Sequence, residues 1–255
     1  MKYLVVSILL TVFVLSNSFA GTIRNDVDEQ KYLNFGQKFF CVQKLVCVNE
    51  NEKKELSSGK RYSCVILNKH WCITVAHLAE KDTTCIKVII GDDVHYIDKL
   101  IINKNYDEEL KFGDIALGFC SKGFGDNVGD LKLYEEKTNI GQLCSIAGYG
   151  KYGNMQSGAK IFDYKIRAGS NKILYKYNDM LICDGSELEP TSLEFLPNVG
   201  DIGGGLFVNG KLAGITCLII GKNGKANSQY GDEVGFVEIY RYLEWINNYV
   251  KKTQM

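Results

Sequence analysis

Gly200-Asp201-Ile202-Gly203-Gly204-Gly205 is the stretch from which the rest of the chain is read. It has almost no side chain with which to pack. Glycines here permit tight turns and bring main-chain N–H groups close to a ligand or a reacting oxygen. In acyl-transfer enzymes such a loop supplies an oxyanion hole beside a nucleophile. The central residue is Ile202, whose side chain carries no oxygen, sulfur or nitrogen and cannot attack a carbonyl. The loop therefore has the composition of a catalytic turn without the reacting atom. Read alone, it is equally a glycine-rich β-turn.

Working outward, two earlier motifs give the loop a context. His77 ends Thr74-Val75-Ala76-His77, six residues after Trp71 in an apolar run. Asp114 opens Asp114-Ile115-Ala116-Leu117. A lone histidine is usually structural, and a lone aspartate before a strand is usually a turn or cap residue. The order His, Asp, Gly-Asp-X-Gly-Gly is more specific than its parts. A base, a carboxylate that orients it, and a nucleophile flanked by backbone donors make a hydrolase triad.

The texture around these motifs is β. Tyr62 to Leu67 and Trp71 to Val75, joined by Asn68-Lys69-His70, read as a hairpin. Short apolar runs follow at 85–90, 94–102, 115–120, 143–149, 160–166, 180–183, 206–208, 212–220 and 235–239. Strands at short intervals with turn signals between them predict an all-β protein built of barrels or a sandwich. Gly123 to Asp130 marks the middle. At the end, Ile239, Leu243, Ile246 and Val250 form one apolar stripe, which predicts an amphipathic helix over 239–251 that packs back on the β domain.

The start of the chain reads differently. Lys2, the apolar run 3–15 and Ser18-Phe19-Ala20 have the form of a secretory signal peptide, residues 1–20, cut after Ala20. Residues 21–31 are polar and read as a short propeptide-like segment. No apolar run is long enough for a membrane span, so no membrane insertion is expected. Lys plus Arg and Asp plus Glu balance at 30 each, which argues against a nucleic-acid partner. Nine cysteines in a secreted chain point to disulfides, with an odd thiol left over. No paired spacing suggests zinc, and neither metal nor cofactor is expected; His70, His77 and His95 have no ligand spacing.

On these motifs the sequence resembles the chymotrypsin/trypsin-like serine protease family from about residue 32 to the end. Matching stretches also run over 141–150, 178–183, 210–215, 235–237 and 243–246. The resemblance implies two six-stranded β-barrels, at about 32–125 and 130–238, with the site between them and a C-terminal α-helix. It aligns His77, Asp114 and Ile202 with the catalytic triad, and Gly200, Asp201 and Ile202 with the oxyanion loop. It also aligns Leu196 with the base of the specificity pocket. Cys217, Leu218 and Ile219 fall where Ser-Trp-Gly is usual, and Ile219 would put a branched side chain across the pocket mouth.

Other departures concern crosslinks and activation. Tyr62 and Leu78 stand where the family has a disulfide, Val208 where Cys144 would find its partner, and Asn198 at a usual cysteine; Cys183 has no obvious partner. No Ile-Val-Gly-Gly occurs to supply the amine that pairs with the aspartate matched by Asp201, so either another group holds Asp201 or the loop sits in a zymogen-like arrangement, and some partner for the buried carboxylate is expected. The resemblance is strongest to the scabies mite inactivated protease paralogues, secreted dead relatives associated with inhibition of host complement. It implies a secreted, proteolytically inactive, protein-binding module whose partners are host or endogenous proteins, complement components among them. Surface loops 49–58, 184–197 and 221–232 would then carry function. The alternatives are a hydrolase with a non-standard nucleophile, for which Cys217 is the nearby candidate, and an arthropod immune-cascade protease homologue.

Overall fold

The computed structural model describes residues 21–49, 59–79, 83–126 and 128–251. The leader expected at 1–20 and most of the loop expected at 49–58 lie outside the described residues. In chain order the first half comprises β1 (Gly21–Ile23), α1 (Glu29–Gly36), β2 (Val42–Asn49), β3 (Lys60–Ile66), β4 (Trp71–Thr74), β5 (Thr83–Ile90), β6 (Asp93–Tyr96), β7 (Lys99–Ile102) and β8 (Ala116–Phe119). The second half comprises β9 (Leu143–Gly148), β10 (Tyr152–Asn154), β11 (Gly158–Ile161), β12 (Arg167–Lys172), β13 (Tyr175–Tyr177), β14 (Met180–Asp184), β15 (Phe195–Leu196), β16 (Gly205–Val208), β17 (Lys211–Ile220) and β18 (Glu233–Glu238). A 3-10 turn, Ile239–Tyr242, then leads into α2 (Leu243–Val250).

Two seven-stranded sheets dominate, ordered β6-β5-β2-β3-β4-β8-β7 and β12-β9-β16-β17-β18-β14-β13. The expected barrels have six strands each, and the difference is instructive. In the first sheet the two edge strands, β6 and β7, are separated only by Ile97 and Asp98. Ile97 donates to Ile86 O on one side, and Asp98 donates to Phe119 O on the other. In the second sheet β12 and β13 are separated only by Ile173 and Leu174. Ile173 donates to Gln142 O and Leu174 to Ile182 O. Each pair is one strand with a sharp bend, and the bend carries it from one edge of its sheet to the other. Six strands thus close a barrel without a free edge.

The third sheet, β11-β10-β1-β15, was not legible beforehand. Within the segment expected as propeptide-like, residues 21–23 are buried in β1. This strand runs parallel to β10 and antiparallel to β15, with Thr22 opposite both Gly153 and Leu196. Gly21 has φ +60°, and a Cβ there would sit 2.3 Å from the Phe195 ring, so only glycine fits. Asp28 caps α1 by accepting from the backbone N–H of Gln30. The helix is fastened by an ion pair: Arg167, fully buried, donates to Glu29 at 2.7 Å and to Asp163 at 2.9 Å.

The expected strand at 160–166 is replaced by β11 and β12 with a connection between them. Lys165 and Asp163 hold that connection as a turn, through the Lys165 N–H on Asp163 Oδ1. The C-terminal stripe packs as expected, with Ile239 and Ile246 buried in the first core and Leu243 and Val250 against it. Its first turn is 3-10 rather than α, so α2 proper begins at Leu243.

Candidate functional site

The site is assembled by strand register. β4 and β8 are antiparallel neighbours, with Thr74 opposite Ala116. The residues just after Thr74 therefore meet those just before Ala116. Asp114 is 4% exposed, and its Oδ1 accepts from the N–H groups of Ala76 at 2.8 Å and His77 at 2.9 Å. Its Oδ2 lies 2.6 Å from Nδ1 of His77. An ionised carboxylate only accepts, so Nδ1 is the donor in this bond. The histidine and aspartate singled out in the sequence thus stand together as one hydrogen-bonded pair. Tyr62, at 5.9 Å between ring centroids, packs its edge against the imidazole.

The glycine loop enters from the second barrel and is pinned to both. The Ser63 N–H on β3 donates to Ile202 O at 2.7 Å, and Ser63 Oγ donates to Gly200 O at 2.8 Å. The Gly203 N–H donates to Thr216 O on β17 at 2.7 Å. A Cβ at Gly203, where φ is +87°, would lie 2.0 Å from Ser63 O. The conformation thus requires glycine there. The Ile202 side chain is partly buried against the first core. Among the described residues, no hydroxyl or thiol hydrogen-bonds the His77 ring.

Asp201 is fully buried. Its carboxylate accepts from the N–H groups of Gly150 at 2.6 Å and Asn198 at 2.8 Å. Among the described residues it has no ion pair. Burial pushes its pKa up to about 7, against the pull of the two N–H donors and the more distant Arg167. The partner expected for Asp201 is therefore backbone.

The aligned pocket positions are apolar in place as well as in sequence. Leu196 is fully buried in β15. Leu218 and Ile219 lie on β17 opposite Gly235 and Val234, after a register shift between Thr216 and Leu218. Cys217 sits in that shift, buried, with Sγ donating to Gly235 O at 3.3 Å. Burial, then the charges of Asp114 and Asp179, raise its thiol well above the ordinary cysteine range. Loop 184–197 is held by Glu194, which accepts from the Ser186 and Thr191 N–H groups. Loop 221–232 is held by Asp232, which accepts from Lys222 and Gln229.

Sequence reasoning missed a cleft that shares Tyr62 with the imidazole's surroundings. A cavity of about 230 Å³ is lined by Lys44, Leu45, Arg61, Tyr62, Tyr149 and Tyr164, among others. The Arg61 guanidinium stands 5.0 Å from the Phe162 ring and 4.9 Å from the Tyr164 ring. Lys44 lies 5.6 Å above Tyr149. Lys44 on β2, Arg61 and Tyr62 on β3, and the aromatics of the connections at 149 and 162–164 are too far apart in sequence to leave a local signature.

Among the described residues, no helix is long and apolar enough to cross a membrane. In comparison with solved structures, the fold is similar to that described as HL collagenase. The TM-score is 0.64 at 16% identity, over 85% of this chain and 94% of the other. That likeness concerns the fold. The sequence model of the family described as Trypsin matches residues 51–246, a span that contains His77, Asp114 and the glycine loop. With the two closed barrels and the hydrogen-bonded His77–Asp114 pair at the ends of β4 and β8, this match makes the chain a member of the trypsin family.

Proposed function

We propose that this chain is a secreted, proteolytically inactive member of the family that acts by binding protein. The observation that carries this reading is Ile202, an aliphatic side chain at the position aligned with the nucleophile, in a chain whose His77 and Asp114 still pair at 2.6 Å. Loss of the nucleophile alone costs on the order of 10⁶-fold in turnover in the serine protease used for scale. The apolar replacements at Leu196, Cys217 and Ile219 also remove groups that would position a peptide. The intact scaffold then serves to display loops 184–197 and 221–232 and the cationic, aromatic cleft at Arg61 and Tyr62.

The purified chain is tested against a broad peptide library and a serine-directed phosphonate probe. Neither turnover nor labelling is expected. Capture from host plasma, read by mass spectrometry, identifies partners, and a haemolysis assay tests the complement-directed role that the mite paralogues suggest. Capture from the producing organism's own body fluid instead would favour an immune-cascade homologue. The competing reading, a hydrolase using Cys217, is disfavoured by that thiol's burial and raised pKa. Turnover that is lost in Cys217→Ala would establish it and end the binding-only proposal.

A further inference from the structure

We propose that the chain carries two disulfides, one in each barrel, joining Cys64 to Cys72 and Cys144 to Cys183. The structure holds these cysteines as thiols, and this inference rests on the secreted reading given above. Burial first, and then a neighbouring cysteine, raises two of these thiols: Cys72 acts on Cys64, and Cys144 on Cys183.

Strand register supports the first pair. β3 and β4 place Ile66 opposite Cys72, and side chains two residues apart on a strand share a face. Cys64 therefore projects to the same side as Cys72, diagonally across the pair. For the second pair, Cys144 on β9 reaches Asn171 O through its Sγ, and Asn171 Nδ2 donates to Asp184 O, next to Cys183. All four side chains are buried in cores, Cys64 and Cys72 in the first and Cys144 and Cys183 in the second.

Cys41, opposite Ile66 across β2 and β3, and Cys47 also act on the Cys64 thiol, but less than Cys72 does; periodicity separates Cys47 from Cys85. Cys85 lies opposite Val48, so it shares a face with Val48, while Cys47 points to the other side of the sheet. Cys217 donates to a backbone carbonyl and has carboxylates rather than cysteines as its titratable neighbours.

The positions have a structural purpose. Ser63, which pins the glycine loop, immediately precedes Cys64, and Thr74 Oγ1 donates to Ser63 O at 3.0 Å two residues after Cys72. The first bond would lock the hairpin that holds the loop. It would do so from inside the barrel, where Tyr62 and Leu78 provide no crosslink.

Each bond forms by thiol–disulfide exchange with a protein disulfide of the secretory pathway. One cysteine thiolate attacks the oxidant's disulfide and releases a thiol. Its partner then displaces the second thiol and closes the bond. Two electrons and two protons leave each cysteine pair, and the oxidant becomes a dithiol.

The test is peptide mapping of the full chain secreted from eukaryotic cells, alkylated under denaturing conditions without reduction. The expected result is two linked peptide pairs, one for each proposed bond, each lighter by two hydrogens than its reduced components. A parallel arm oxidises the purified reduced chain with glutathione disulfide. Cys183→Ala must lose the second linked pair and keep the first, and Cys72→Ala the reverse. Alkylation of all four cysteines in both arms, or bonds to other partners, overturns the proposal. Linked pairs in both arms, with a fully reduced chain in its natural source, uphold the pairing and refute the secreted reading instead.

Discussion

Nδ1 of His77 lies 2.6 Å from Oδ2 of Asp114, and the other oxygen of that carboxylate receives the His77 backbone N–H at 2.9 Å. The imidazole is therefore fixed in ring and backbone by one buried acid. Ile202, which aligns with the family's nucleophile on the resemblance, carries no group that could share a proton with the imidazole. Restoring a hydroxyl there supplies the missing atom without the missing pocket. Ile202→Ser is expected to remain at background against small peptide substrates, because Leu196, Cys217 and Ile219 still deny the substrate a seat. Robust cleavage of any such peptide by the single variant would refute this.

The buried Asp201 makes stability depend on pH. Its folded pKa, about 7, lies above the ordinary 3.8 of an aspartate. Between those values the folded state holds the proton that the unfolded chain has released. Stability should therefore fall as pH rises through that window, by a few kcal/mol at most. Denaturant unfolding at pH 4.5 and pH 7.5 measures the change (both values are about the window's ends). Asp201→Asn should be less stable overall, since its amide nitrogen meets an N–H donor, but its slope across the window should be shallower. An equal slope in the variant would assign the effect elsewhere.

Arg167 ties β12 to α1 through Glu29 and to the preceding turn through Asp163. Arg167→Ala leaves two carboxylates facing a void and is expected to cost about 3–5 kcal/mol. Adding Glu29→Gln and Asp163→Asn should recover part of that loss. The measurement is chemical denaturation of the single and triple variants. A loss below about 1 kcal/mol in the single variant would mean that the helix is held by packing alone.

Cys217 should resist a small alkylating reagent in the folded protein and react only on unfolding. Its thiol is buried, and neighbouring carboxylates disfavour the thiolate. Mass-spectrometric footprinting reads this directly. Rapid native alkylation confined to Cys217 would favour the cysteine-hydrolase reading.

The β strands were legible because they rest on local patterns, whereas the two barrels and the His77–Asp114 pair were implied by the family resemblance. Hairpins such as 62–75 announce themselves through an apolar run, an Asn-Lys-His turn and a second apolar run. The antiparallel pairing of β4 with β8 then brings His77 and Asp114 together. What stayed hidden depends on contacts far apart in sequence. Residues 21–31 look like solvated chain, because the partners that bury β1 and anchor Glu29 come from 152–167 and 195–196. Arg167 carries no sign of its burial, since its two carboxylates must first be brought to it. The strand bends at Ile97–Asp98 and Ile173–Leu174 were equally silent. Apolar periodicity runs on through 94–102, and only pairing on opposite edges reveals the turn.

Those bends give the fold a single point of failure in each half. Because one bent strand stitches both margins of its barrel, cutting the backbone at Ile173–Leu174 would leave each seam on a separate fragment. No amount of packing along the intact strands substitutes for that continuity. A nick at either corner would therefore reopen the barrel that the bent strand closes.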